Sequence, residues 1–284
     1  MPRAGLGCGS SANSMIAHLL EQRSGQQIDA TRAWRIETAL KPLLRQLELT
    51  TLDELITQLV LARTGELSDR VVDALLNQET SFFRDAAVLD MVAEAARELR
   101  REAPHKRLRI WSAGCSTGQE PLSLAMLFAE RELAHGQLPE IVATDVSTGA
   151  LARAKAGRYT QFEIQRGLSV RRMMRWFEGQ GADWTAAPEL LRRVQFRPQN
   201  LTTDAPPPGL FDIVLCRNVL LYFSAALRRQ VFETLARALR PGGLLVLGAG
   251  ETVIGQTDQF VPSDMFRGFY QPVRLRDEAL RKAG

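Results

Sequence analysis

Only three cysteines (Cys8, Cys115, Cys216) and three histidines (His18, His105, His135) occur in the 284-residue chain. No two cysteines stand at C-x-x-C spacing, so neither a disulfide framework nor a cysteine metal cluster is expected, and the usage suits a reducing compartment. No histidine lies near a carboxylate motif or another histidine, which argues against a zinc site and against a Ser-His-Asp triad. No apolar run reaches the roughly 18–20 residues of a membrane span. Residues 1–14 are small and polar and lack the apolar segment of a signal peptide; they are expected to form a disordered arm.

What is present is ordinary in bulk. The chain is 45% hydrophobic and 24% charged, close to an average soluble protein and long enough for a core without cross-links. Its formal net charge is +4, unevenly spread: residues 1–106 hold 13 Lys and Arg against 15 Asp and Glu, the remainder 23 against 17. That surplus lacks the concentrated basic stripe of a nucleic-acid binder.

Residues 15–76 show helical apolar spacing, with stripes at Met15, Ile16, Leu19, Leu20 and at Leu52, Leu55, Ile56, Leu59, Val60. Thr51-Leu52-Asp53-Glu54 supplies a helix cap, and Pro42 should kink or restart the helix between Trp34 and Leu47. From Leu108 the pattern changes to strand–helix alternation. Strands are expected at residues 108–111, 141–144, 194–196, 211–216, 244–247 and within 265–273; helices at 86–101, 121–133, 148–156 and 225–239. This alternation predicts a parallel sheet wrapped by helices. The expected organisation is a small all-helical domain over 15–85 followed by an α/β, Rossmann-like domain over 86–284.

The first expected strand runs into Ala113-Gly114-Cys115-Ser116-Thr117-Gly118. Gly114 and Gly118 permit a tight turn and a close backbone approach to a ligand, at the strand end where α/β sheets bind ligands. The loop lacks both G-x-G-x-x-G and G-x-x-x-x-G-K-[ST], which points to a ligand without a pyrophosphate; a plain strand-to-helix turn is the alternative. Glu120-Pro121 opens the next helix, where an acid also suits the positive helix end. Asp145, at the end of the second strand, stands where a ribose diol would be held. Cys115 and Cys216 read as small buried residues rather than nucleophiles.

Three further segments carry more information: Asn77-Gln78-Glu79-Thr80-Ser81-Phe82-Phe83-Arg84-Asp85, Trp111 through Pro121, and Cys216-Arg217-Asn218-Val219-Leu220-Leu221-Tyr222-Phe223. With Ala143-Thr144-Asp145-Val146-Ser147, Asn200-Leu201 and Leu239-Arg240-Pro241-Gly242-Gly243, in that order, the chain closely resembles the bacterial chemotaxis-receptor protein-glutamate O-methyltransferases, the CheR family, over about residues 15–272. The resemblance implies S-adenosylmethionine as cofactor, S-adenosylhomocysteine as product and no metal. It implies cofactor contacts from Thr80 and Arg84, from Glu120 near the methionine end, from Asp145 on the ribose, from Asn200 and Leu201 beside the adenine, and from Asn218 and Val219 closing the pocket, with Gly114 in the loop. The family has Asn two residues before the Thr; here Gln78 keeps the amide and adds a methylene.

The implied reaction is methyl transfer to glutamate carboxylates on the cytoplasmic helical bundle of chemoreceptors, by a cytoplasmic monomer that neither binds nucleic acid nor inserts into a membrane. Arg84 can offer a planar fork to a carboxylate, either the acceptor's or the cofactor's, and Tyr222 a phenolic hydrogen bond, so both are expected to act in turnover. The structural alternatives are an ion pair of Arg84 with Asp85 or another surface acid, and a buried aromatic at Tyr222 on the strand exit. Arg166, Arg171, Arg172 and Arg175 on one stretch, and Arg32, Arg35 and Arg45 on another, are either acceptor contacts or solvated faces. Residues 177–193, with Gly179, Gly181 and Trp184, resemble the family's small hairpin insertion, short enough that docking without a tethering receptor peptide is expected. The competing functions are an RNA or small-molecule methyltransferase, and a cofactor-sensing protein without turnover.

Overall fold

The computed structural model describes residues 8–28, 34–62, 64–132 and 137–273. The chain divides into two units: one runs to Asn77 and includes Tyr222–Leu227, and the other holds Gln78–Leu221 and continues from Arg228. The division thus falls after Asn77 rather than after Asp85, and residues 78–85 belong with the α/β unit.

In the helical unit, α1 (Cys8–Ser24), α2 (Trp34–Gln46), α3 (Leu52–Leu61) and α4 (Glu66–Leu75) pack together. Helix α1 starts at Cys8, so residues 8–14 of the expected disordered arm are helical; residues 1–7 of that arm lie outside the described residues. The reason is Ala12, which is buried with Ile16 and Leu20. It extends an i, i+4, i+8 stripe one turn toward the N-terminus, although a small residue gives little hydrophobic signal. Helix α2 runs through Pro42 without interruption, burying Ile36, Leu40, Leu43 and Leu44. Arg32, on its N-terminal side, lies outside the described residues. Before α3, Thr51 Oγ1 accepts from the Glu54 amide at 3.3 Å while Glu54 accepts from the Thr50 and Thr51 amides, a reciprocal cap. These bonds to the anion hold the Glu54 carboxyl below its usual range. Of the expected α3 stripe only Leu55 is fully buried, and Val60 is exposed. The return segment joins this unit through a Gln26–Phe223 bridge and a Gln27 amide donating to the Tyr222 carbonyl.

The other unit opens with α5 (Ala86–Glu102) and builds a seven-stranded sheet from β1 (Arg109–Ala113), β2 (Glu140–Asp145), β6 (Val194–Pro198), β7 (Phe211–Cys216), β8 (Leu239–Leu247), β9 (Phe260–Pro262) and β10 (Phe269–Pro272), in the order β6-β2-β1-β7-β8-β10-β9. The first five are parallel neighbours, and β10 and β9 close the edge antiparallel. Near-continuous burial of β1, β2 and β7 explains their apolar runs, because helices cover both faces of such a sheet. Helices α6 (Gln119–Glu132), α7 (Thr148–Ala156) and α11 (Ala225–Ala238) supply the crossovers; Leu133, the expected end of α6, lies outside the described residues. Strand β8 begins at Leu239, earlier than expected, and its register jumps from Leu239 opposite Phe211 to Leu244 opposite Ile213, so Pro241-Gly242-Gly243 forms a bulge.

Between α7 and β6 the chain inserts β3 (Arg158–Thr160), α8 (Gln161–Gln165), α9 (Val170–Trp176), β4 (Phe177–Gln180), β5 (Asp183–Ala186) and α10 (Pro188–Leu191). The strands form a separate antiparallel sheet in the order β3-β5-β4. The expected hairpin insertion is therefore the β4–β5 part of a three-stranded sheet.

The register of α1 gives a direct test. Ile16 is 1% exposed and Met15 49%, so Ile16→Ala should cost about 2–4 kcal/mol of helical-unit stability and Met15→Ala under about 1 kcal/mol. Urea unfolding of the two variants checks this; equal losses would place the buried face elsewhere.

Candidate active site

Strand order reverses between β1 and β7: β2 and β6 continue on one side of β1, and β8 on the other side of β7. A ligand crevice forms outside the carboxyl ends of strands at such a switch. The loop leaving β1 and the loop leaving β7 meet there. Gly114 has φ +78°, and a Cβ on it would stand 2.5 Å from Val219 Cγ2, so any other residue is strained there and must displace Val219. The Gly114 and Cys115 amides donate to the Thr144 carbonyl at 2.8 and 2.9 Å, fastening the loop to the end of β2. At Gly118 (φ +92°) a Cβ would stand 2.8 Å from the Ala154 Cβ of α7.

Asp145 receives this loop. One carboxylate oxygen accepts from the Ser116 amide at 2.7 Å and the other from the Ser147 amide at 2.9 Å. The Gln199 amide donates to the Asp145 carbonyl at 3.0 Å, which brings Asn200 and buried Leu201 beside the end of β2. Asn200 Oδ1 accepts from the Thr202 amide and hydroxyl.

Glu120, in the first turn of α6, accepts from Ser112 Oγ at 2.8 Å and from Arg217 Nη1 at 3.0 Å. Arg217 Nη2 also donates to Asp85 at 2.6 Å and to the Arg84 carbonyl at 3.2 Å. The Arg217 side chain is 2% exposed; a cation buried to that degree requires such partners. Asp85 therefore pairs with Arg217, and the alternative Arg84–Asp85 ion pair is not formed. Arg84 Nη1 instead donates to the Glu79 carbonyl at 3.3 Å. Gln78 bridges two loops: its carbonyl accepts from Ser116 Oγ at 2.9 Å and its amide donates to Ser147 Oγ at 3.2 Å. Thr80 lies between Gln78 and Arg84 and is half-buried. Phe82 and Phe83 are core residues: Phe82 meets Tyr159 and Phe177 edge-on, and the Phe83 amide donates to Ser123 Oγ. Tyr222 sits in the helical unit, where its hydroxyl oxygen accepts from Asn77 Nδ2.

Sequence reading missed two organising residues. Glu251 accepts from the amides of Asn218 (2.7 Å), Val219 (3.0 Å), Leu220 (2.8 Å), Leu221 (3.3 Å) and Gly248 (2.9 Å), and so fixes the turn after β7, with Asn218 at φ 59°. The 33-residue separation from Asn218 matches no local motif. Arg217 stands inside a recognised motif, but only its burial reveals its role. Cys115 and Cys216 are buried, and burial raises both thiols well above their usual range, reinforced at Cys115 by Asp145 and then Glu120; neither supplies a thiolate.

The donor set fits a ribose and a cationic amino-acid end rather than a phosphate. Carboxylates of Glu120 and Asp145 flank the glycine loop, which contains no lysine or arginine. Among the described residues no cluster of His, Cys, Asp and Glu could hold a metal ion. A Rossmann-like sheet with acids at these two positions fits the site of an S-adenosylmethionine-dependent methyltransferase. Residues 78–269 match the family model described as CheR methyltransferase, SAM binding domain. The chain is 38% identical over 247 residues to Chemotaxis protein methyltransferase Cher2 of Pseudomonas putida, covering 85% of this chain and 90% of that protein. It is 39% identical over 260 residues to Chemotaxis protein methyltransferase 1 of Pseudomonas aeruginosa, covering 88% and 94%. A Chemotaxis protein methyltransferase of Listeria monocytogenes is 33% identical over 198 residues, covering 70% and 74%. The chain belongs to the CheR family of chemotaxis protein methyltransferases, and its cofactor is S-adenosylmethionine.

Removing the carboxylate of Glu251 leaves several half-buried amides without an acceptor. Glu251→Ala should destabilise the α/β unit by about 2–4 kcal/mol, with Glu251→Gln intermediate because one amide oxygen remains. Chemical denaturation checks this, and a loss under about 0.5 kcal/mol would show that water replaces the carboxylate.

Proposed function

We propose that this chain esterifies glutamate side-chain carboxylates of methyl-accepting chemotaxis receptors, on their cytoplasmic helical bundle. Membership of the chemotaxis methyltransferases supports the setting, and the guanidinium of Arg84 carries the acceptor chemistry. Arg84 belongs to the segment that runs from Gln78 on the glycine loop; its guanidinium donates to the Glu79 carbonyl, and its charge also helps lower the Glu79 carboxyl. A guanidinium offers a planar fork to a further carboxylate.

When bound, S-adenosylmethionine supplies a methyl group already activated on a sulfonium. A glutamate carboxyl, with an unperturbed pKa near ~4.3, is an anion at neutral pH and needs no general base. What the protein contributes is placement and exclusion of water. In this reading Asp145 holds the ribose hydroxyls, Glu120 faces the methionine end, Asn200 and Leu201 lie along the adenine, and Gln78, Thr80, Gly114, Asn218 and Val219 complete the cofactor contacts. Arg84 orients the acceptor carboxylate. The Tyr222 hydroxyl accepts from Asn77 and so retains its own proton to donate; it is the second side chain assigned to turnover. The protein works in the cytoplasm as a monomer. No helix among the described residues is long and apolar enough to cross a membrane.

Incubation with methyl-labelled cofactor and a receptor signalling fragment, followed by mild base, tests the reaction. Base-released volatile label is the expected result; base-stable label would assign another acceptor, and no transfer would leave a cofactor-binding protein without turnover. Arg84→Ala should lower kcat by at least about tenfold, roughly 1.4 kcal/mol of transition-state stabilisation, with an unchanged melting temperature. Near-normal turnover would remove Arg84 from the mechanism.

A further inference from the structure

Helix α9 and the turn before it hold Glu79, Phe82 and Phe83 on their inner side, and the helix presents an outer side of unusual composition. At about 100° per residue, Val170 and Met174 share one edge of the outer side, Arg171 and Arg175 lie beside them, and Arg172 and Trp176 turn inward. Burial follows this arc: Val170 and Met174 are 71% and 69% exposed, while Trp176 is buried. The Arg172 guanidinium lies 3.8 Å from the centre of the Phe83 ring and pairs with Glu130 at 2.9 Å. Arg166, at the end of α8, pairs with Glu79 at 2.7 Å. Gly167 (φ +105°) rests so closely on the Phe82 carbonyl that a Cβ would stand 1.8 Å from its oxygen. The segment bearing Arg84 is thus gripped from the α8–α9 turn, and the basic edge of the outer arc is the edge that adjoins Arg172 and Phe83.

The charges on the inner side are matched. Arg166 and Arg172 each have a carboxylate partner. Burial works to raise the Glu130 carboxyl, but its bonds from Arg172 and Trp176 outweigh that and lower it; the bond from Arg166 likewise lowers Glu79. On the outer side, Arg171 forms no ion pair among the described residues, and Arg175 lies over the Trp176 ring at 4.8 Å. Single exposed apolar residues are commonplace. Two at i, i+4, alongside exposed Arg171, which forms no ion pair among the described residues, and exposed Arg175, whose charge also helps lower the Glu130 carboxyl, make a two-sided strip.

We propose that the outer side of α9 is a docking surface for an acidic amphipathic helix, the acceptor helix of the receptor. The proposal rests on the reading of receptor glutamates as the methyl acceptors. Charge complementarity carries it: a helix offering glutamates for esterification presents carboxylates on the face it turns to the enzyme. Carboxylates at i, i+4 are spaced about 6 Å apart, which matches Arg171 and Arg175. Apolar residues on the adjoining face of the partner helix cover Val170 and Met174, and the carboxylate edge then runs along the side of α9 nearest the Arg84 segment.

Two double variants test this with full-length protein and a receptor signalling fragment: Arg171→Glu with Arg175→Glu, and Val170→Ser with Met174→Ser. Both should raise the KM for the fragment by about tenfold, with kcat within about twofold. S-adenosylmethionine affinity by calorimetry and the melting temperature should be unchanged. Added salt should raise the wild-type KM more steeply than that of the charge-reversed variant. Unchanged KM in both variants overturns the proposal, as does a loss confined to kcat or to cofactor affinity. If the variants instead lose binding to vesicles containing anionic lipid while KM holds, the surface belongs to a membrane and the proposal also fails. Failure of the wild type to esterify the fragment would refute the acceptor reading itself. Esterification by the wild type with KM intact in both variants refutes the docking surface alone.

Discussion

The close approach of Gly114 to Val219 at the junction of β1 and β7 sets the geometry of everything around it. Two loops leave adjacent parallel strands where the strand order reverses, and a Cβ on Gly114 would lie 2.5 Å from the Val219 side chain. The contact holds because each loop is fastened independently. The first is pinned to the end of β2 through the Thr144 carbonyl and the Asp145 carboxylate. The second is pinned by Glu251, whose carboxylate collects four consecutive amides after β7 and a fifth from Gly248. Backbone donors that would otherwise lack partners in a turn are satisfied by one anion.

Conformational strain gathers in the same loops. Five non-glycine residues among those described have positive φ, and four of them, Phe83, Asp85, Ser116 and Asn218, lie in the segments that meet at the site. Each costs on the order of 1 kcal/mol or more and persists only where surrounding contacts over-determine it. Those contacts are visible: Phe83 donates to Ser123, Asp85 pairs with Arg217, Ser116 donates to Asp145 and Gln78, and Asn218 donates to Glu251. Arg217 joins the motif before α5 to the acid at the start of α6. The segment carrying Arg84 is therefore held from two sides, by Arg217 and by the α8–α9 turn.

Much of the fold was legible from residue pattern. The strands β1, β2, β6 and β7 and the helices α5, α7 and α11 lie within a residue or two of their expected spans, because long apolar runs and clear helical stripes report burial directly. The insertion was harder to read. Strands β3, β4 and β5 are three or four residues long with mixed burial, too short to establish a period. The start of α1 was hidden because Ala12 buries little area, and the early start of β8 because its bulge contains Pro241, Gly242 and Gly243, residues that usually mark a turn.

From sequence alone, the order of motifs determined the family and its cofactor, and periodicity determined the alternating α/β domain behind a helical one. Both are local properties of the chain: which residues alternate, and which short strings follow one another. Tertiary structure decided which charges meet. Asp85 goes to Arg217 and not to Arg84, Glu120 is shared between Ser112 and Arg217, and Glu251 reaches a turn 33 residues earlier. A charged side chain has many possible partners along a sequence, and only the packing of strands and helices in space selects the one close enough to offset its desolvation.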